Sequence, residues 1–299
     1  MCAQKLSHDE NWPRANTLFT ADLITSDFAL IGIPAHKSSL SPTSAHLTPI
    51  AIRDAIARYS TFAGSSNTDL TKIKLTDLGD IAEPDFADGE AKVADAVENL
   101  LARHKLVMAL GGDNSITYSV ARGLWKDLSN VGLITFDAHH DLRDGQSNGS
   151  PIWRLIQAGL PGKNIVQIGI SDFANSAAYS KRAADNGVTV IDRTMMRNQS
   201  IEKIIVDALS HAGANGREIY VDIDVDVCDR SVAPACPASL PGGITADELR
   251  NAVRLVAMDS RVRAIDITEI DAALDAPDQR TVRLAALLVL EAAAGVAIR

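Results

Sequence analysis

Positive charge is scarce in this chain, and the scarcity excludes one class of partner. Lysine and arginine total 29 against 38 aspartates and glutamates, for a formal net charge of −9. A nucleic-acid partner needs a basic face, so none is expected. Cysteine is also sparse: Cys2, Cys228 and Cys236 are odd in number, build no disulfide framework and fit a reducing, cytoplasmic setting. Long apolar runs are missing as well. The first twenty residues are polar, without the apolar stretch of a secretory signal. The run 284–298 carries Glu291 and is too short to span a bilayer, so no membrane partner is expected and the run reads as a core-packed final helix. There is no internal repeat, low-complexity tract or linker rich in Gly, Ser or Pro, and one domain over residues 1–299 is the expected organisation.

What the chain does have is alternation. Apolar runs at 28–33, 106–110, 131–136, 165–170, 188–191, 219–225 and 262–267 read as buried strands. The segments 49–59, 90–104, 115–128, 151–158, 174–186, 201–212 and 246–257 carry apolar residues at helical spacing, as in Val93, Ala96, Val97, Leu100 and Leu101. Alternation at this density makes βαβ units. The expected fold class is therefore α/β: a single three-layer domain, mainly parallel sheet with helices on both faces. Hydrophobic residues make up 46% of the chain, enough for a sizeable core. In such sheets ligands bind beyond the carboxyl ends of the strands.

Two of those ends are dense in carboxylates. Phe136-Asp137-Ala138-His139-His140-Asp141 follows one apolar run, and Asp222-Ile223-Asp224-Val225-Asp226 closes another. Residues i, i+2 and i+4 of an extended chain face one side, so Asp137, His139 and Asp141 share a face if the chain stays extended, as do Asp224 and Asp226. Gathered carboxylates repel one another and need cations. An imidazole among oxygen ligands suits Mn²⁺ or a similar ion, and the pattern points to a two-metal hydrolytic centre. A lone Asp at a strand end is ordinarily a turn former or a helix cap; two clusters are harder to read that way. His140 has the parity that points away. Asp222 shares the parity of Asp224 and Asp226, which leaves the register of the second pair open. A third strand end carries Gly111-Gly112-Asp113-Asn114-Ser115, where Asp113 or Ser115 can cap the next helix.

In combination, GGDNS (111–115), DAHHD (137–141), DVDVCD (224–229) and TEID (268–271) resemble the ureohydrolase family of arginases, agmatinases and formimidoylglutamases. The resemblance runs from GIP (32–34) through DLGD (77–80) to the last helix. It implies an arginase-like domain, a binuclear manganese centre, hydrolysis of a C–N bond of a guanidinium or formimidoyl group in a small-molecule substrate, and a homo-oligomer (trimer or hexamer). It assigns Asp137 and Asp224 as bridging ligands, His139 and Asp226 to one metal, and Asp141 to the other. The spacing to Asp229 and Ala233-Pro234 selects the pair Asp224/Asp226. Glu269 matches the carboxylate that holds the cationic group, and Asp141 is the expected proton carrier.

Two departures bear on function. Asn114 stands where the family usually has a histidine ligand, and an amide oxygen is a weaker donor than imidazole, so the manganese site beside it is expected to be weak. The run Ser147-Asn148-Gly149-Ser150-Pro151 lacks the family's His-Gly pair, and Arg143 follows Asp141 by two residues. Both point to the formimidoylglutamase branch and to hydrolysis of N-formimidoyl-L-glutamate, with Arg143 binding a carboxylate and Asn148 and Ser150 orienting the amino-acid end. Another amidino-hydrolase (agmatinase or guanidinobutyrase) and a metal-poor non-catalytic homologue are the alternatives. Cys228 and Cys236 lie in the loop of the second cluster, where oxidation would disturb metal binding.

Overall fold

The computed structural model describes residues 9–21 and 23–299; Cys2 lies outside them. Nine strands form one sheet: β1 (Phe19–Thr20), β2 (Ser26–Ile33), β3 (Leu75–Asp80), β4 (His104–Gly111), β5 (Val131–Phe136), β6 (Ile165–Ile170), β7 (Thr189–Asp192), β8 (Glu218–Asp224) and β9 (Val262–Thr268). Their spatial order is β1-β3-β2-β4-β9-β8-β5-β6-β7, and every pairing in it is parallel. A ribbon of two residues per strand, Phe62–Ala63 against Thr68–Asp69, is antiparallel and separate.

Helices cover both faces because the central strands are apolar on both. Leu106, Met108 and Leu110 of β4 join one core cluster, while Val107 and Ala109 join the other. On the first face lie α1 (Thr48–Ile56), α6 (Ile201–Ala212), α7 (Ala246–Met258) and α8 (Arg280–Ala297). On the second lie α2 (Phe86–Val97), α3 (Ile116–Leu124), α4 (Pro151–Gln157) and α5 (Ala177–Asp185). This is the three-layer α/β arrangement the alternation implies. Each fully buried Leu or Ile in it contributes about 1.5–3 kcal/mol through removal from water. Helix α8 is buried along most of its length, and its one interior acid, Glu291, accepts from Arg250 Nη2 (2.7 Å) and pairs with Arg254. No helix among the described residues is long and apolar enough to cross a membrane.

Three local expectations are corrected. The helix expected over 90–104 ends at Val97; Asn99 takes a left-handed φ of 67°, a short turn Leu100–Arg103 follows, and His104 already begins β4. Strands β1 and β3 were not expected. In β3 only Leu75 and Thr76 are buried, so this strand near the sheet edge lacks the continuous apolar run that marks a central one. The chain also does not stay extended through 137–141: β5 stops at Phe136, and Asp141 has φ 52°.

Candidate metal centre

The site residues hang from the carboxyl ends of four strands that are neighbours in the sheet, β4, β9, β8 and β5. Asp137, His139 and Asp141 follow β5, Asp224 ends β8, Asp226 sits in the 3₁₀ turn Val225–Val227, and Glu269 follows β9. After β4 the chain passes so close to another loop that a Cβ on Gly112 would lie 1.8 Å from the Ala35 carbonyl oxygen; only glycine permits that approach. Asp113 then accepts the Ser115 amide (3.1 Å) and fixes the turn into α3.

Asp137, His139 and Asp226 bring one ligand atom each to within 4.8 Å of one another. His139 Nδ1 lies 2.8 Å from Asp226 Oδ2 and 3.4 Å from Asp137 Oδ1. Asp137 Oδ2 is buried with no hydrogen-bond partner, an arrangement that costs free energy unless a cation meets it. An imidazole and carboxylate oxygens around an orphaned oxygen are a donor set that fits a divalent ion such as Mn²⁺. His139, Asp141, Asp224, Asp226 and Glu269 line one cavity of about 420 Å³ with Arg143 and Asn148.

The electrostatics follow from that crowding. Burial first, and then the neighbouring carboxylates, push Asp137 and Asp224 well above the ordinary carboxylate range. Asp141 is pushed to about 7, again chiefly by burial. Burial works against the charged form of His139, yet Asp226, Asp141 and Glu269 hold it up to about 9. Asp226 is buried too, but His139 and the Ala138 amide (3.0 Å) keep it low. Glu269 rises to about 8 through burial and then Asp113. Both Asp141 (φ 52°) and Glu269 (φ 64°) hold left-handed backbone, a conformation that costs about 1–3 kcal/mol at a non-glycine residue and clusters at functional sites.

The residues of the second cluster differ in position. Asp224 and Asp226 line the cavity; Asp222 is fully buried, outside the lining, beside Asp266 and Thr117. His140 does turn away, with Nδ1 2.7 Å from Gln167 Oε1.

Two side chains are not where the sequence suggested. Ser150 is fully buried at the start of α4, its hydroxyl 2.9 Å from that of Ser147, and it does not line the cavity. Asn114 does not turn its amide oxygen to the cluster. Its Nδ2 donates to Asp141 Oδ2 (2.6 Å), while its oxygen accepts from the hydroxyls of Thr117 (2.9 Å) and Thr268 (3.1 Å). The two threonine hydroxyls lie behind the amide and the Asp141 carboxylate in front, and the Thr117 hydroxyl also lies 2.9 Å from Asp266 Oδ2. Asn148 Nδ2 donates to Glu269 Oε1 (2.9 Å), and its oxygen accepts the Leu40 amide (3.0 Å); it ties the Ser39–Leu40 loop to Glu269. Arg143 is exposed, with its guanidinium 5.9 Å from the centre of the Tyr179 ring. Sequence reading missed Tyr179, Asn175 and the Ser39–Ser41 loop, all in the cavity lining; none sits in a motif. Cys228 and Cys236 are buried free thiols, the first pushed up to about 12 and the second well above its usual value by burial, which makes both poor nucleophiles.

Fold and site together define an α/β protein with a carboxylate-rich centre, suited to divalent metal, at its strand ends. The chain belongs to the arginase family, whose model matches residues 26–295. It is 36% identical over 281 residues to a formimidoylglutamase of Halalkalibacterium halodurans, covering 91% of this chain and 88% of that protein. A Bacillus subtilis formimidoylglutamase is 35% identical over 277 residues, covering 90% and 86%. The crystal structure of a B. subtilis formimidoylglutamase superposes with a TM-score of 0.91 at 33% identity, covering 99% of this chain and 95% of that one. A Trypanosoma cruzi formiminoglutamase solved with Mn²⁺ shares the fold, with a TM-score of 0.87 at 24% identity, covering 96% of this chain and 99% of that one.

Proposed function

We propose that this protein is a manganese-dependent formimidoylglutamase, one arginase-like domain over residues 1–299, which hydrolyses N-formimidoyl-L-glutamate to L-glutamate and formamide. The carrying observation is the single cavity that joins the carboxylate–imidazole cluster to Glu269 and to the cation Arg143. An amidine cation needs the first and a substrate carboxylate the second. The names of the relatives at 35–36% identity support the same substrate. A cytoplasmic homo-oligomer (trimer or hexamer) serving histidine degradation completes the reading, on the family resemblance alone.

Two metal ions are proposed. Asp137, His139, Asp224 and Asp226 would hold one, and Asp137, Asp141 and Asp224 the other. When bound, manganese supplies Lewis-acid activation of water near neutral pH. Glu269, ionised against the substrate cation, orients the formimidoyl group, and Asn148 holds Glu269 in place. Asp141 takes a proton from the attacking water and returns it to the leaving nitrogen, the amine of glutamate. Arg143 binds a substrate carboxylate. Formamide release from N-formimidoyl-L-glutamate with added Mn²⁺, and none from agmatine, is the expected assay result. Hydrolysis of agmatine alone would refute the substrate.

Arg143→Ala is expected to raise KM for formimidoylglutamate about 10-fold or more, on about 1.5–3 kcal/mol for a hydrogen bond to a charged group, with kcat nearly unchanged. Steady-state kinetics decide it; an unchanged kcat/KM removes Arg143 from the site. Asn114→His adds an imidazole beside Asp141 and should tighten one Mn²⁺ by about 10-fold or more, leaving the other nearly unaffected. Superimposable Mn²⁺ titrations of variant and wild type would end that assignment.

Metal and protons compete for the same groups. Asp141 near 7, the raised carboxyls of Asp137 and Asp224, and His139 near 9 must lose protons to bind a cation, so Mn²⁺ affinity should rise with pH between about 6 and 9 and binding should release protons. The sign for stability is the reverse. Folded values of Glu269 and His139 lie above their unfolded ones, so their contributions fade as pH rises toward 8 and 9. Metal-free protein should therefore lose thermal stability from pH 6 to pH 9, and Mn²⁺ should restore it. A metal-free melting temperature that climbs over this range contradicts the crowding.

A further inference from the structure

The loop between β6 and α5 does more than line the cavity. Asn175 lies in it, half-buried, on the cavity wall with Ala174, Ser176 and Tyr179. Its carboxamide reaches across to the segment that carries His139. Asn175 Oδ1 accepts the His140 amide (2.9 Å), and Nδ2 donates to the Ala138 carbonyl (3.0 Å). These two backbone groups decide which end of the carboxamide is oxygen, because an N–H needs an acceptor and a carbonyl a donor.

Residues 137–140 belong to no helix or strand, so no regular ladder fixes them. Asn175 supplies what a neighbouring strand would, one donor and one acceptor, placed on the two residues that flank His139. The Ser171 amide adds a second bond to the Ala138 carbonyl (3.0 Å). The same short segment orients the metal-facing groups. His139 Nδ1 lies 2.8 Å from Asp226 Oδ2, the His139 amide donates to Asp137 Oδ1 (2.6 Å), and the Ala138 amide donates to Asp226 Oδ1 (3.0 Å). Asp137, His139 and Asp226 thus take their orientation from backbone that one carboxamide ties down. The turn that delivers Asn175 is strained. Phe173, fully exposed, has φ 64°, a conformation that costs free energy at a bulky residue and persists only where its surroundings hold it.

We propose that Asn175 is a positioning residue for the metal centre, which sets the affinity of the ion held by Asp137, His139 and Asp226 by fixing the backbone on either side of His139. The inference rests on the manganese reading above. Ligands of a metal depend on the partners that orient them, and loss of such a partner costs about 10–100-fold in affinity.

The test is calorimetric titration of the metal-free protein with Mn²⁺ in wild type, Asn175→Ala and Phe173→Gly. Asn175→Ala should weaken the tighter of the two ions by about 10-fold or more. Raising Mn²⁺ should then restore its hydrolysis of formimidoylglutamate, with KM near that of wild type. Phe173→Gly relieves the turn and keeps both carboxamide bonds, so its Mn²⁺ binding should stay within a few-fold of wild type. An Asn175→Ala variant that binds Mn²⁺ as tightly as wild type overturns the proposal, even if it melts lower, since Asn175 would then be purely structural. A KM that stays raised at saturating Mn²⁺ overturns it too, by making Asn175 a substrate contact. An equal loss in Phe173→Gly would assign the effect to the loop instead of the carboxamide, with the same consequence. Wild type that takes up no Mn²⁺ would refute the metal reading itself, and this proposal with it.

Discussion

Asp226→Asn is expected to leave the protein folded while removing both metal and activity. The amide keeps the size of the carboxylate and can still accept the Ala138 amide at the place where Oδ1 now lies 3.0 Å away. It also breaks the buried pair with His139, so the metal-free variant should melt below metal-free wild type while staying folded. What it loses is the negative oxygen 2.8 Å from His139 Nδ1. Even outer partners of metal ligands cost about 10–100-fold in metal affinity when removed, so a ligand should cost at least about 100-fold, with hydrolysis falling to background. Asp222→Asn is the matched control. Its carboxyl is buried outside the cavity, held above its usual range by burial and by Asp266, and an amide there resembles the protonated acid already favoured. Metal content and activity should stay within a few-fold of wild type. The reverse pattern, with Asp222→Asn metal-free and Asp226→Asn loaded, would move the assignment by two residues.

Glu269→Gln carries the second large effect. The Gln oxygen can still accept from the Asn114 backbone amide (2.7 Å) and Asn148 Nδ2 (2.9 Å), so the loop should keep its shape. The charge that would face an amidine cation is gone. Truncating one partner of a buried charged pair costs about 2–5 kcal/mol, which predicts a fall in kcat/KM of about 30-fold to several thousand-fold. The pH profile adds a readout that a merely structural role would not move. Burial and Asp113 raise Glu269 to about 8 in the metal-free site; the ionised form gains population as pH rises, and nearby cations shift that rise to lower pH. A limb from Glu269 in the pH dependence of kcat/KM should be present in wild type and absent in the variant. A variant with wild-type kcat/KM and the same limb would take Glu269 out of the mechanism.

The limits of the sequence reading have physical causes. Strand β5 was legible because all six of its residues are buried, and two-sided burial writes a continuous apolar run. Strand β3 was not, because four of its six residues, Asp77 to Asp80, are partly or fully exposed. Ser150 was misread because a serine before Pro151 looks the same whether its hydroxyl faces a ligand or, as here, Ser147. Tyr179 was missed because no local pattern in α5 shows that its ring meets Arg143 from a separate loop.

The sequence by itself determined the layer architecture and the chemical character of the site, since hydrophobic period and residue type are local properties that one chain carries openly. It placed carboxylates and an imidazole at strand ends, and a parallel sheet sends such ends to one rim. Tertiary structure alone decided which of those groups meet. The left-handed turn at Asp141 replaced the extended run, the order β4-β9-β8-β5 brought four distant segments together, and Thr117 and Thr268 turned the Asn114 oxygen away from the cluster. Such choices depend on partners as distant as Thr268 is from Asn114, 154 residues along the chain, where hydrogen-bond geometry and burial, rather than any local pattern, set the energy.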